Sequence, residues 1–163
     1  LVVRHEILIG VGRMKYVVEA GMLTKPVPFP LLEVHRGNET GSSGEYYFNH
    51  MNYMEFASDA FVNLYAEYGM NGFFFNKIWL LRKLQLRELL TFKACYGRML
   101  NDNNSILTLP QNTFELNMPY MEAGIGVTNL LKFIRLEYIW RLNYLDHSDI
   151  SKKGLYIRFN FEF

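Results

Sequence analysis

Leu155-Tyr156-Ile157-Arg158-Phe159-Asn160-Phe161-Glu162-Phe163 alternates strictly: the odd positions are large and apolar, and the even positions are Tyr, Arg, Asn and Glu. Successive side chains of a β-strand point to opposite faces, so this stretch predicts a strand with one apolar and one polar face. Chain termini are usually poorly ordered, and a soluble protein would rarely expose three Phe side chains there. A transmembrane β-barrel uses such a strand, because its apolar face contacts lipid.

The same alternation recurs in six upstream segments. They cover residues 2–9, 13–22, 62–71, 84–97, 121–128 and 134–144. Val17, Leu89 and Ile139 interrupt the polar rows, and Glu88 interrupts an apolar row. Most segments are about ten residues long, which is enough for a tilted strand to cross a bilayer. We therefore predict an all-β fold of about seven antiparallel strands.

The apolar faces are predicted to point outward, toward lipid. The apolar rows are long and bulky, Tyr and Trp lie near their ends, and the polar rows carry charges of both signs, as in a hydrated lumen. In the last two strands, the lipid-facing residues would be Leu136, Tyr138, Trp140, Leu142, Leu155, Ile157, Phe159 and Phe161. An aromatic-ended C-terminal strand also resembles the assembly signal of bacterial outer-membrane proteins, with Phe163 as its last residue.

The connections alternate between tight turns and longer segments rich in Pro, Gly, Asn, Asp and Ser. Residues 10–12 and 129–132 are tight, whereas residues 24–55, 100–117 and 146–153 are long. This pattern indicates long external loops, including a loop over residues 24–55, and a periplasmic C-terminus. Residues 72–83 lie on the periplasmic side but are long and apolar, and two interpretations stay open: an interfacial helix or an extension of the flanking strands.

Composition excludes several classes of protein. Half of the residues are hydrophobic and the formal net charge is +1, which fits an ordered chain. The 17 basic and 16 acidic residues are interleaved, so no nucleic-acid partner is expected.

The chain begins with Leu1 and has no signal peptide, and single-chain bacterial barrels have even strand numbers. Residues 1–163 are therefore expected to be the C-terminal part of one transmembrane β-barrel domain.

No catalytic or metal-binding pattern is present in the sequence. His5, His35, His50 and His147 lack the spacing of metal ligands, and Cys95 is the only cysteine. The run Asn101-Asp102-Asn103-Asn104 has a single carboxylate and lacks the spaced acidic ligands of a calcium loop. We therefore predict a protein that is not an enzyme and has no cofactor and no metal site.

Three stretches resemble one outer-membrane family of Bacteroidota, the domain of unknown function 5686. They are residues 28–40 (PFPLLEVHRGNET), residues 51–59 (MNYMEFASD) and residues 71–84 (NGFFFNKIWLLRKL). The resemblance covers most of the chain from about residue 13 onward, although Trp79 stands where the family pattern has Pro. It implies a carboxypeptidase-regulatory-like periplasmic module followed by a C-terminal barrel, and the module is absent from this sequence.

The barrel is also similar to the surface-antigen superfamily, which includes the barrel-assembly proteins. This resemblance implies 16 strands in the complete barrel, of which these would be the last seven. It also implies that the Arg36-Gly37 loop folds into the lumen, where Arg36 would pair with Glu67. His35 and Asn38 depart from the usual flanks of the Arg-Gly pair, and Glu67 stands in place of Asp.

Three functions stay open on this basis. The first is an integral outer-membrane barrel with a structural, biogenesis or export role and no chemistry of its own. Its partners would be outer-membrane lipid and other outer-membrane proteins or lipoproteins in a complex. The second is a solute transport pore or receptor that uses the charged lumen. The third is a soluble lipid-binding β-barrel with its apolar face inside.

Overall fold

The computed structural model describes residues 1–101, 106, 108–147 and 149–159. The chain is all-β, with nine strands in the described residues. They are β1 (Val2–Ile9), β2 (Gly12–Met22), β3 (Glu33–Val34), β4 (Ala57–Ser58), β5 (Ala60–Gly69), β6 (Arg87–Arg98), β7 (Tyr120–Leu130), β8 (Ile134–Arg141) and β9 (Lys153–Phe159). The helical elements are 3-10 turns at Phe29–Leu31 and Phe75–Lys77 and the five-residue helix α1 (Trp79–Lys83). Over the described part of the chain, no helix is long and apolar enough to span a membrane.

Seven strands form one antiparallel sheet in the order β1-β2-β5-β6-β7-β8-β9. Each strand of this sheet pairs with the next one, so the sheet is a meander. Its seven strands match the number that the alternation predicts. The sheet is not closed over the described residues, because β1 and β9 lie at its two edges. The two-residue strands β3 and β4 form a separate ladder that the alternation did not predict.

The connections fall at two ends of the sheet. Residues 10–11, 70–86 and 131–133 lie at one end, here called the turn end. Residues 23–59, 99–119 and 142–152 lie at the other, here called the loop end. The β1–β2 connection is a two-residue hairpin, in which Gly10 has a φ of 57°, a backbone conformation that glycine adopts without strain.

The sequence left two conformations open for the segment within residues 70–86, a helix or extended strands, and the structure shows helical turns. Leu84 donates its backbone N–H to Leu80 O at the end of α1, and Gln85 has a positive φ of 55°. The strand predicted to begin at residue 84 therefore begins at Arg87. The physical reason is local, because Leu80-Leu81-Arg82-Lys83 is a run of good helix formers.

The two faces of the sheet have opposite surroundings. The apolar face is open, and its exposed side chains include Val62, Leu90, Phe92, Tyr96, Ile125, Leu142, Leu155, Ile157 and Phe159. The opposite face carries the polar rows and is covered by residues 23–56, here called the covering loop. Most of the buried residues lie between this loop and the polar rows, so the core of the molecule is on the charged side of the sheet.

Candidate functional site: the covering loop on the charged face

Strand register gathers charged side chains into one surface, here called the charged face. Its members are Arg13, Lys15, Glu19, Glu67, Lys93, Glu122, Arg135, Glu137, Arg141 and Arg158, each on the side of its strand that faces the covering loop. Lys93, Glu122 and Arg141 are successive cross-strand neighbours and thus alternate in sign. Opposite charges at directly paired positions stabilise a sheet, so this arrangement lowers the cost of burying them.

Glu122 is the main anchor of the covering loop. Its carboxylate accepts the backbone N–H groups of Asn49 at 2.9 Å and His50 at 2.6 Å, and the hydroxyl of Tyr120 at 2.7 Å. Glu122 is only 1% exposed. Three hydrogen bonds to one buried carboxylate satisfy the charge and fix the backbone of the loop above β7.

Three further hydrogen bonds hold the loop nearer its tip. Lys93 donates from Nζ to the carbonyl oxygens of Gly44 at 2.5 Å and Tyr47 at 2.7 Å. Ser43 donates its hydroxyl to Glu137 Oε1 at 2.6 Å. The loop is therefore bonded to β6 and β8 as well as to β7.

Glu55 and Arg141 form a buried ion pair at the end of the covering loop. Arg141 donates from Nη1 to Glu55 Oε2 at 2.9 Å and from Nη2 to Oε1 at 2.6 Å. His147 Nδ1 lies 2.8 Å from the same carboxylate, and the N–H of Asn52 donates to it at 2.9 Å. Both ionised side chains are nearly inaccessible to solvent, so breaking the pair from one side leaves a buried charge unpaired.

A second charge cluster lies closer to the turn end. Arg135 donates to both carboxylate oxygens of Glu67, at 2.9 and 2.7 Å, and from Nε to Glu137 at 2.6 Å. Arg158 lies directly across from Arg135 in the register and contacts Glu67 at 3.5 Å. Glu67 thus lies between two guanidinium groups and reduces the repulsion between them.

The underside of the covering loop is apolar. Phe48, Met51 and Phe56 are fully buried and pack with Tyr65 and Tyr120 of the charged face. This packing explains the irregularities in the sequence pattern. Val17, Leu89 and Ile139, which interrupt the polar rows, are all buried on the covered side of the sheet. Glu88, which interrupts an apolar row, accepts the backbone N–H groups of Phe74 and Phe75 beside the 3-10 turn.

Two histidines of the covering loop are held in the neutral form. His35 is 1% exposed and its Nε2 lies 3.0 Å from Ser58 Oγ. Burial lowers the pKa of His35 to about 4. Burial also lowers the pKa of His50, whose Nε2 lies 2.9 Å from the carbonyl oxygen of Ile139. Both rings would resist protonation for as long as the loop stays in place.

The predicted pair between Arg36 and Glu67 is wrong. The covering loop folds over the charged face, but Arg36 Nη2 contacts Glu19 Oε2 at 3.6 Å and its side chain is 54% exposed. Glu19 of β2 pairs with Asn63 of β5, four residues before Glu67, so the two backbone positions are about 13 Å apart along the strands. Arg36 reaches only the nearer one, and Arg135 already occupies Glu67.

The residues predicted to face lipid lie on the open apolar face. Leu142, Leu155, Ile157 and Phe159 are 46%, 62%, 42% and 59% exposed. Leu136, Tyr138 and Trp140 are partly exposed and alternate with the buried Arg135, Glu137, Ile139 and Arg141. Phe161 and Phe163 lie outside the described residues, so their predicted roles stay predictions.

The arrangement of the charged face serves attachment of the loop. Most of its charged groups are bound to the covering loop or to each other, which makes the covering loop a fixed layer. Arg13 and Lys15 instead contact Glu6 of β1. Sequence reasoning placed Glu122, Arg135, Glu137 and Arg141 on the polar faces but missed their partners. It also missed Glu55, because strand periodicity assigns no orientation to a loop residue. Tyr156 donates its hydroxyl to the carbonyl oxygen of Asn49 at 2.7 Å. The alternation in the last strand placed Tyr156 on the polar face but did not predict this contact.

Comparison with known proteins gives one match. The model described as "Family of unknown function (DUF5686) C-terminal domain" matches residues 2–127, which is more than half of the chain. The matched range includes the first four strands of the main sheet, most of β7 and the whole covering loop, but not β8 and β9. Searches of the curated proteins and of the solved structures find no match.

Proposed function

The chain belongs to the family of unknown function DUF5686, as its C-terminal domain, and from this premise we propose that it is part of an integral outer-membrane β-barrel. In this proposal the barrel has a structural, biogenesis or export role and carries out no chemistry of its own. The complete barrel would have 16 strands, and the turn end would face the periplasm. The partners would be outer-membrane lipid and other outer-membrane proteins or lipoproteins.

One observation carries the proposal: the sheet buries its charges and exposes its apolar side chains. A water-soluble sheet gains stability by placing apolar side chains in its core, so this polarity is unfavourable in water. In a bilayer the same polarity is favourable, because lipid covers the apolar face and the charges line the interior. Strands β2, β5, β6 and β7 are 10 to 12 residues long, which suits a tilted crossing.

The tryptophans give further support. Trp140 lies near the loop end of β8, where it pairs with Lys153, and Trp79 begins α1 at the turn end. Trp and Tyr are enriched at both membrane–water interfaces, so two Trp at opposite ends of the sheet fit two aromatic girdles. Lys77 lies 4.8 Å above the ring of Phe73 in the turn segment, an arrangement suited to the headgroup region.

The polarity weighs against a soluble lipid-binding barrel. Such a barrel would enclose its ligand with the apolar face, whereas here the covering loop packs on the charged face. A solute pore or receptor remains the second candidate, because the charged side chains nearest the turn end border an open cavity. Conductance in planar bilayers separates the two: a large steady conductance favours a pore, and a closed barrel favours the structural role.

Adjacent residues of β9 provide a direct test of membrane insertion. With Cys95 replaced by Ala, Leu155→Cys and Tyr156→Cys would each be labelled with a nitroxide in reconstituted bilayers. Leu155 lies on the open face and Tyr156 is buried under the loop. We expect the label at position 155 to be accessible to oxygen dissolved in the bilayer and the label at position 156 to be shielded. Full solubility of the chain without detergent, or no difference between the two labels, would refute the proposal.

A further inference from the structure

The charged face is open near the turn end, where the covering loop does not reach. A cavity of about 690 Å³ lies there between β2, β6, β8 and β9, and Glu45 near the tip of the covering loop borders it. Its lining includes six cationic side chains and two carboxylates. The cationic residues are Arg13, Lys15, Arg87, Lys132, Arg135 and Arg158, and the carboxylates are Glu45 and Glu67.

The ion pairs around the cleft leave part of this positive charge unbalanced. Glu67 and Glu137 neutralise Arg135, and Glu6, from outside the lining, pairs with Arg13 at 2.9 Å. The remaining contacts are longer: 3.5 Å between Arg158 and Glu67, 3.8 Å between Arg158 and Glu45, and 3.9 Å between Lys15 and Glu6. The four carboxylates in these contacts are Glu6, Glu45, Glu67 and Glu137, and subtracting them from the six cations leaves two positive charges. If only the two carboxylates that line the cavity are subtracted, four positive charges remain.

Arg87 and Lys132 are the least committed cations of the cleft. Arg87 Nη1 has a single 3.4 Å contact with the amide oxygen of Asn71, and both side chains are exposed. Within the described residues, neither side chain forms an ion pair. Arg135 and Arg158 occupy directly paired positions of β8 and β9, but Glu67, Glu137 and Glu45 contact them. The unbalanced positive charge of the cleft therefore lies mainly on Arg87 and Lys132.

We infer that this cleft binds a phosphate-bearing ligand. A phosphate group carries about −1.5 to −2 charges, so one or two such groups neutralise the unbalanced charge. The planar guanidinium of Arg matches phosphate oxygens in bidentate geometry, and the cavity volume lies in the range of ligand sites. The inference is independent of membrane insertion, because the cleft lies on the charged face and not on the apolar one.

Isothermal titration calorimetry tests this inference. The full chain in zwitterionic detergent is titrated with inorganic pyrophosphate at low ionic strength. We expect saturable binding at one site that weakens as salt is added. The double variant Arg87→Gln/Lys132→Gln should weaken binding about tenfold, at about 0.7 kcal/mol for each exposed charge. The matched variant Lys152→Gln/Lys153→Gln removes two exposed cations at the loop end and should leave affinity unchanged.

The substitution Glu45→Gln should change the affinity for pyrophosphate in the opposite direction. This substitution removes a half-exposed carboxylate from the rim and should tighten pyrophosphate binding about threefold. If the natural ligand is a lipid headgroup, phosphatidic acid added to the micelles should compete with pyrophosphate; if it is a soluble phosphate compound, the lipid should have no effect. The absence of saturable binding, or equal losses in the two double variants, would overturn the inference. A soluble chain that binds pyrophosphate would refute only the membrane proposal.

Discussion

Replacing Glu122 with Gln should release the covering loop from the sheet. Glu122 Oε1 accepts the hydrogen bonds from His50 N and Tyr120 Oη, and Oε2 accepts the bond from Asn49 N. In the variant an amide NH₂ replaces one oxygen and faces a buried N–H donor, which costs about 2 kcal/mol. The remaining bonds lose their charge assistance, which costs about 1 kcal/mol more. The expected loss is therefore about 3 kcal/mol of local stability.

Hydrogen exchange of the Asn49 and His50 amides measures this loss directly, because these amides exchange when the loop opens. A loss of about 3 kcal/mol corresponds to exchange roughly 150-fold faster. Glu6→Gln is the matched control, since Glu6 is an exposed carboxylate paired with Arg13 on the outer strands. Exchange that accelerates less than about threefold in Glu122→Gln, or equally in the control, would show that Glu122 does not anchor the loop.

Three further predictions concern the loop, the apolar face and the terminus. The pKa of His35 in the folded chain is lowered to about 4 from 6.5. The neutral ring therefore stabilises the folded state above pH 6.5, and this contribution to the free energy of unfolding is lost as the pH falls toward 4. The contribution is about 3 kcal/mol. Unfolding measured across that range should show a steeper pH dependence in the natural chain than in His35→Gln, and identical slopes would contradict the assignment. Ile125→Arg at the centre of the apolar face should cost roughly 2–4 kcal/mol in a bilayer, and Phe159→Arg, beside the turn end, should cost less. Reversible unfolding from lipid vesicles would measure both, and equal or negligible costs would argue against lipid contact. Deletion of Phe163 should lower outer-membrane levels in cells without changing synthesis; unchanged levels on fractionation would mean that Phe163 is not part of an assembly signal.

Most of the main sheet and its two faces can be predicted from the amino-acid pattern alone. A period of two residues is a local property of extended backbone, so the alternation along residues 134–141 and 155–159 is sufficient to separate Leu136 from Arg135 and Leu155 from Tyr156. The seven strands of the main sheet were predictable for the same reason. The start of β6 was not, because residues 80–84 favour a helix more strongly than their alternation favours a strand.

The contacts between charges, and the loop that covers them, become visible in the three-dimensional fold. The loop partners of Glu122 are 72 and 73 residues distant in the chain, and the partners of Glu55 include Arg141 at a separation of 86. Such contacts depend on strand register together with the path of a long loop, and side-chain periodicity specifies neither. Arg36 illustrates the difference: its loop does fold onto the charged face, but the position at which the chain leaves β3 brings it to Glu19 and leaves Glu67 to Arg135.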